Sequence, residues 1–85
     1  MKQSDEYHVY IVQCADGTLY VGTTNDVVKR IHAHNTLPTG ARYTKSRRPV
    51  QLVYTETYAT KGEALSREIA IKKLKRSEKL LLIQQ

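Results

Sequence analysis

Two short segments rich in tyrosine and β-branched residues flank an Asp-Gly pair near the start of the chain. Tyr7–Gln13 and Leu19–Thr23 both have the composition of β-strands. Asp16-Gly17, between them, is a strong turn signal. The sequence therefore predicts a β-hairpin, and the register of that hairpin decides which side chains share a face.

The apolar residues of the hairpin favour one register. A three-residue loop ending with Gly17 in the left-handed bulge position pairs Tyr10 with Gly22 and Val12 with Tyr20, which puts both tyrosines on one face. A two-residue loop would put the two tyrosines on opposite faces. The first register is preferred because it also collects four apolar side chains on the other face, namely Val9, Ile11, Leu19 and Val21.

The segment after the hairpin predicts a helix and a third strand. Thr24-Asn25-Asp26 offers helix caps, so a helix is expected from about Asp26 to about His34, before Pro38-Thr39-Gly40. Val50–Tyr58 is rich in strand-forming residues. The apolar contacts of the helix are assigned to Val27, Val28, Ile31 and Leu37.

Two more helices are predicted towards the C-terminus. Thr60-Lys61-Gly62-Glu63 has the capping-box pattern, and its helix is expected to run to about Leu74. Ser77 is assigned as the cap of a short last helix ending at Ile83. The side chains expected to face the sheet are Ala64, Leu65, Ile69 and the stem of Lys72. The order β-β-α-β-α-α indicates an α+β fold with a small three-stranded, mostly antiparallel sheet flanked by helices.

Charge and composition narrow the classes of function. Fourteen Lys and Arg against eight Asp and Glu give a net charge of +6, which suits a polyanionic partner such as nucleic acid. A basic protein without such a partner is the plainer alternative. The polar N-terminus and the lack of a long apolar run predict a cytoplasmic protein with no membrane partner. Cys14 is the only cysteine, so an internal disulfide and a cysteine-based zinc cluster are excluded.

Several side chains have the chemistry that phosphodiester hydrolysis needs. Tyr10 and Tyr20 share a predicted face, and Arg30 and His34 are spaced i, i+4 on one helix face. Glu68 is an acid among basic neighbours. Tyrosine or histidine can accept a proton from water, arginine matches phosphate oxygens, and Mg²⁺ needs only one or two protein oxygens. Core tyrosines, solvated helix charges and a surface ion pair are the structural alternatives.

Basic residues outside this set are expected to bind the nucleic-acid backbone. They are Arg42, Lys45, Arg47 and Arg48 in a segment without acids, and Lys72 and Lys73 after Glu68. The alternative is that they form an ordinary solvated face.

The order of these residues resembles the GIY-YIG nuclease superfamily, and more closely its small single-domain bacterial group. The tripeptides His8-Val9-Tyr10 and Tyr20-Val21-Gly22 stand ten residues apart. Arg30 follows the second tyrosine by ten residues, His34 comes four further on, and Glu68 precedes a Lys-rich stretch. The likeness extends over about residues 7–81 as one domain.

This resemblance implies a DNA endonuclease that uses one Mg²⁺ or Mn²⁺ ion, with a role in DNA repair or recombination. By this resemblance, Tyr20 acts as general base or relays a proton, and Tyr10 positions the water or the phosphate. Arg30 binds the scissile phosphate, His34 lies near the base, and Glu68 binds the metal ion. A second copy of the chain or another protein is expected to supply targeting.

Two departures from the family pattern keep a second hypothesis open. Thr23 stands where some members carry a lysine that assists the base, and no asparagine follows Glu68. A nucleic-acid-binding domain of the same fold, with little or no cleavage, is therefore the alternative. A third hypothesis, a protein-interaction domain, is disfavoured because the sequence has no large apolar stretch suited to exposure.

Overall fold

The computed structural model describes residues 6–36 and 47–84. Its three strands are β1 (Tyr7–Gln13), β2 (Leu19–Thr24) and β3 (Gln51–Tyr58). Its three helices are α1 (Val27–Thr36), α2 (Lys61–Lys72) and α3 (Arg76–Ile83). The strands form one antiparallel sheet in the order β2-β1-β3, so β2 is an edge strand. The predicted α+β fold and its element order are confirmed. None of the helices in the described ranges is long and apolar enough to cross a membrane.

The hairpin has the predicted register. Tyr10 pairs with Gly22 and Val12 pairs with Tyr20. Gly17 has a φ of 87°, a left-handed conformation that glycine adopts without steric cost. The three-residue loop therefore places both tyrosines on one face, as the sequence predicts.

Each face of the sheet is covered by a different helix. On one face, the buried residues of the sheet and α2 form a core of Val9, Ile11, Val21, Ala64 and Ile71. On the other face, Tyr10, Val12, Cys14 and Val50 are buried, with Tyr20 and Ile31 of α1 packed against them. A side chain on α2 can therefore approach the tyrosine face only around the edge strand β2.

The prediction of which residues pack against the sheet was partly wrong. Leu65 and Ile69 are 41% and 57% exposed, and Val28 on α1 is 82% exposed. Ala64, which was predicted, and Ile71, which was not, are fully buried instead. They lie seven residues apart, which is about two helical turns, so they form one stripe along α2.

One of the two C-terminal caps was also assigned wrongly. Thr60 caps α2 as predicted, and its Oγ1 accepts a hydrogen bond of 3.2 Å from the Glu63 backbone N–H. Ser77 does not cap α3, because that helix already begins at Arg76 with Lys75 as its N-cap. The Glu78 carboxylate accepts a hydrogen bond of 2.8 Å from the Lys75 N–H, so the helix is capped two residues earlier than expected.

A half-buried carboxylate joins α2 to β3. Glu56 accepts two hydrogen bonds from Arg67, at 2.8 and 3.0 Å, and one each from the hydroxyls of Tyr54 and Tyr58, at 2.5 and 2.6 Å. The Arg67 guanidinium lowers the pKa of Glu56 to about 2, against the opposing effect of burial. This contact holds the residue before Glu68 against the sheet.

Candidate active site

A cavity at the β2 edge gathers four of the five predicted catalytic residues. It has a volume of about 520 Å³ and is lined by Tyr10 and Tyr20 from the hairpin, Arg30 from α1 and Glu68 from α2. These residues come from both sides of the sheet and meet at its open edge. The fifth residue, His34, is fully buried behind Tyr10.

Tyr10 belongs to the central strand and reaches the cavity because its cross-strand neighbour is glycine. A Cβ built on Gly22 would lie 2.5 Å from Cζ of the Tyr10 ring, a distance that real Cβ contacts essentially never reach. The end of the Tyr10 ring therefore lies directly over the Gly22 backbone. The glycine of the Tyr20-Val21-Gly22 motif is a steric requirement for placing the Tyr10 hydroxyl.

His34 is a buried, neutral base in contact with both tyrosines. Its Nε2 and the Tyr10 hydroxyl share a hydrogen bond of 2.8 Å. The rings of Tyr10 and Tyr20 meet the imidazole edge-on, with centroids 5.7 and 5.4 Å away. Burial lowers the pKa of His34 to about 4, and the positive charges of Arg30 and Arg48 act in the same direction. The imidazole is therefore uncharged at neutral pH.

The two tyrosines have different surroundings, which suits different roles. Burial raises the pKa of Tyr10, and the hydrogen bond and charge of Arg30 only partly offset this effect. Tyr10 is 1% exposed and stays protonated at neutral pH, so it can serve as a hydrogen-bond donor. Tyr20 is half-buried, and water in the cavity reaches it more readily than Tyr10.

Glu68 reaches the cavity around the β2 edge and is held there from two sides. The Thr23 hydroxyl donates a hydrogen bond to Glu68 Oε1, and Lys72 Nζ lies 2.7 Å from Oε2. The Glu68 side chain is 16% exposed. Thr23, noted as a departure from the family pattern, thus orients the acid.

The donor set at Glu68 fits a hard divalent cation that keeps most of its water. Within residues 6–36 and 47–84, no three His, Cys, Asp or Glu side chains come together as a metal centre. Mg²⁺ is commonly bound through one or two carboxylates, with waters and substrate phosphate completing the shell. Glu68 offers one carboxylate beside a cavity large enough for such waters, and thiolate-preferring metals have no suitable ligand among the lining residues.

Two of the arginines predicted to bind nucleic acid have contacts within the protein. Arg47 Nε lies 3.1 Å from Asp16 Oδ2 at the hairpin loop. Arg48 Nε donates a hydrogen bond of 2.5 Å to the carbonyl oxygen of His34, at the C-terminal end of α1. A cation at this end of a helix stabilises its terminal carbonyl groups. Arg48 therefore supports the helix that carries Arg30.

The remaining predicted basic residues divide between the exposed surface and the undescribed segment. Lys72 and Lys73 are exposed at the C-terminal end of α2, and Lys72 makes the ion pair with Glu68. Arg42 and Lys45, and the predicted core residue Leu37, lie outside the described residues.

Sequence reasoning missed the place of Tyr7 and Lys61 in the site, and it gave no role to Asn35. Tyr7 and Lys61 line the cavity, although they come from the start of β1 and the start of α2. Asn35 joins α1 to the start of β3, since its Nδ2 donates to the Val50 carbonyl at 3.1 Å and its Oδ1 accepts from the Val50 N–H at 2.7 Å. The proximity of Tyr7 and Lys61 arises only in the folded chain, so no local pattern could have revealed it.

Comparison with known proteins gives the same family over most of the chain. The family model described as the GIY-YIG catalytic domain matches residues 6–80. UPF0213 protein SERP0126 of Staphylococcus epidermidis is 56% identical over 81 residues, which cover 95% of this chain and 98% of that protein. UPF0213 protein DP2720 of Desulfotalea psychrophila is 55% identical over 78 residues, which cover 92% of this chain and 71% of that protein.

Two solved structures resemble the fold. The solution NMR structure of protein EF2693 from E. faecalis has a TM-score of 0.66 at 37% identity, with 99% of this chain and 88% of that chain covered. The solution NMR structure of UPF0213 protein BH0048 from Bacillus halodurans has a TM-score of 0.60 at 40% identity, with coverage of 93% and 83%.

Proposed function

Because this chain belongs to the GIY-YIG family, we propose that it is an endonuclease that hydrolyses DNA phosphodiester bonds with one Mg²⁺ or Mn²⁺ ion. One observation carries the proposal: Tyr10, Tyr20, Arg30 and Glu68 line a single cavity, although they lie far apart in the sequence. A proton acceptor, a phosphate-binding cation and a metal-binding carboxylate are the groups that this reaction requires.

The lining of the cavity favours an anionic substrate. Arg30 and Lys61 contribute two cations, and Glu68 is the only acid among the described lining residues. The chain as a whole carries a net charge of +6. A phosphodiester backbone matches this charge, and its affinity for such a surface comes largely from the release of counterions.

In the proposed reaction, Tyr20 accepts the proton of the attacking water while its own hydroxyl proton passes to solvent, because it is the more exposed of the two tyrosines. Tyr10 remains protonated and donates a hydrogen bond, either to His34 or to a substrate oxygen. Arg30 binds the scissile phosphate with its planar guanidinium. The same side chain also hydrogen-bonds to Tyr10. Glu68 would hold the metal ion, which when bound offsets the negative charge that develops on the phosphate.

The neutral state of His34 supports this division of roles. A protonated imidazole beside Tyr10 would add a third positive charge next to Arg30 and Arg48. Burial prevents that charge near neutral pH, since it holds the pKa of His34 at about 4. The hydrogen bond between His34 and Tyr10 therefore persists through the neutral pH range, and it fixes the Tyr10 hydroxyl over Gly22.

One observation favours the alternative of a nucleic-acid-binding domain without cleavage. Both carboxylate oxygens of Glu68 have partners within the protein, Thr23 and Lys72. A metal ion would have to displace the Lys72 ammonium from Oε2. The Lys72 side chain is 50% exposed, and an ion pair at that exposure contributes only about 0–1 kcal/mol, so we favour the nuclease.

Replacement of Tyr20 with phenylalanine tests the proposed reaction. We expect the single-turnover cleavage rate to fall by about 10²- to 10⁴-fold, the usual contribution of a positioned proton acceptor. DNA affinity should stay close to that of the wild type, because the ring remains. The measurement is the cleavage of supercoiled plasmid, branched and single-stranded DNA in the presence of Mg²⁺ or Mn²⁺.

Tyr58→Phe is the matched control, because its hydroxyl binds Glu56 on the other side of the sheet. It should cleave at the wild-type rate under conditions where it is folded. If Tyr20→Phe is as active as Tyr58→Phe, Tyr20 is not the proton acceptor. If the wild type binds every substrate in a salt-dependent manner and cuts none, the binding-domain alternative is correct.

A further inference from the structure

We propose that Lys61, together with Tyr7 and Asn25, forms a second phosphate subsite that binds a flanking nucleotide of the substrate strand. This inference rests on the proposed function and adds to it the path of the strand through the site. In the sequence, Asn25 and Lys61 stand only in helix-cap patterns and Tyr7 only at the start of a strand, so none of the three is predicted to bind substrate. All three line the same cavity as Tyr20 and Glu68.

The pairing of the hairpin orders the cavity along the β2 edge. Tyr20 pairs with Val12 towards the loop, while Thr24 pairs with His8 at the opposite end of the strands. Tyr7 precedes His8 and Asn25 follows Thr24, so both lie at this far end. The cavity therefore extends from Tyr20, past Tyr10 and Glu68, to the residues of the proposed subsite.

The spacing along α2 matches a nucleic-acid strand. Lys61 and Glu68 are seven residues apart and both line the cavity. Seven residues make about two turns and advance about 10 Å along one helix face. Phosphates of one stacked strand recur about every 3.4 Å of axial rise and are farther apart along the backbone itself, so Lys61 lies at most about three phosphates from Glu68.

The chemistry of the subsite suits a phosphate and disfavours a metal ion. The Lys61 ammonium supplies a full positive charge, and the Asn25 amide and Tyr7 hydroxyl supply neutral donors. Lys61 is also the first residue of α2, where the helix dipole adds a partial positive charge. Glu63, the acid in the same turn, hydrogen-bonds to Thr60 and is not among the lining residues.

This arrangement predicts that the enzyme requires substrate on one side of the cut. A strand that extends two or three nucleotides in the direction of Lys61 engages both ends of the cavity. A small diester such as bis(p-nitrophenyl) phosphate engages only the end with Glu68 and Arg30. Loss of the Lys61 charge should therefore impair the binding and cleavage of oligonucleotides more than the hydrolysis of the small diester.

The test compares Lys61→Gln with Lys79→Gln, which removes the same charge from α3, outside the cavity. Binding of a single-stranded oligonucleotide is measured in chelator, where no cutting occurs, over a range of salt concentrations. The slope of log affinity against log salt concentration should become less negative by about 0.7 in Lys61→Gln. This is the value for one lost phosphate contact on a single strand. Lys79→Gln should keep the wild-type slope.

Cleavage assays then locate the flanking nucleotide. Oligonucleotides shortened from one end should lose rate once fewer than about three nucleotides remain beyond the cut, and this loss should be absent in Lys61→Gln. Hydrolysis of bis(p-nitrophenyl) phosphate should fall less in Lys61→Gln than cleavage of the full-length oligonucleotide does. Equal salt slopes for Lys61→Gln and Lys79→Gln would overturn the subsite. A wild type that hydrolyses no diester would overturn the proposed function, while the salt slopes would still test the subsite.

Discussion

Replacement of Glu68 with glutamine is expected to lower the metal-dependent cleavage rate by about 10³-fold or more, which corresponds to about 4 kcal/mol of transition-state stabilisation. The amide has nearly the same shape but no negative charge, so it cannot hold a divalent cation. Glu68 is the only acid among the described residues that line the cavity, so no neighbouring carboxylate there can replace it. The measurement is the single-turnover rate with saturating Mg²⁺ and, separately, Mn²⁺.

The fold should tolerate this change. The amide oxygen can still accept the hydrogen bond from Thr23, and the ion pair lost with Lys72 is half exposed, so its loss should cost less than about 1 kcal/mol. Glu63→Gln is the matched control, because it removes an acid from the same helix outside the cavity. A Glu68→Gln variant that cleaves within tenfold of Glu63→Gln would rule out Glu68 as the metal ligand.

Replacement of Gly22 with alanine should damage both the fold and the catalytic site. The new methyl group would overlap the Tyr10 ring, which is fully buried and hydrogen-bonded to His34. Overpacking of this kind typically costs about 1–3 kcal/mol, which urea unfolding would measure. We also expect the cleavage rate to fall by about 10²-fold, because the Tyr10 hydroxyl moves by an ångström or so from its position.

Gly62→Ala provides the comparison for this variant. A Cβ at Gly62, in the first turn of α2, meets no atom within 4 Å. Alanine there should leave stability unchanged or raise it by up to about 1 kcal/mol, since it restricts the unfolded chain and favours the helix. A Gly22→Ala protein as stable and active as Gly62→Ala would show that Tyr10 does not need the glycine.

The hairpin was predictable because its information is local. Asp16-Gly17 sets the turn, and the period-2 pattern of apolar residues selects one register out of two. The same locality explains the correct spacing of Arg30 and His34 on one helix face. Both predictions depend only on residues of one element, or of two elements that are adjacent in the sequence.

The packing face of α2 was not predictable in the same way. Leu65 and Ile69 form one apolar stripe and Ala64 and Ile71 form another, and helical periodicity fits both. Arg67, on the side of α2 that carries the second stripe, contacts Glu56 of β3, so the choice depends on residues from separate elements. Leu65 and Ile69 therefore stay exposed, while Ala64 and Ile71 fill the core.

The candidate site shows the same division between local and tertiary information. Tyr10 and Tyr20 share a face as the register predicts, but Glu68 arrives from the opposite side of the sheet around an edge strand. The number of basic residues in the sequence also does not reveal which of them line the cavity and which make contacts within the protein. Arg47 and Arg48 contact Asp16 and the C-terminal end of α1, whereas Lys61, not singled out from the sequence, lines the cavity.

The dependence of the cleavage rate on Mg²⁺ concentration tests the central claim most directly, namely that one ion held by Glu68 serves the reaction. The wild-type protein is assayed under single-turnover conditions from chelator to saturating Mg²⁺. We predict no cleavage in chelator and a hyperbolic rise with a Hill coefficient of about one, as a single-ion mechanism requires. Two results would rule out a single ion held by Glu68. One is cleavage that persists in chelator, and the other is a sigmoidal rise with a Hill coefficient of about two, as a two-metal site would give.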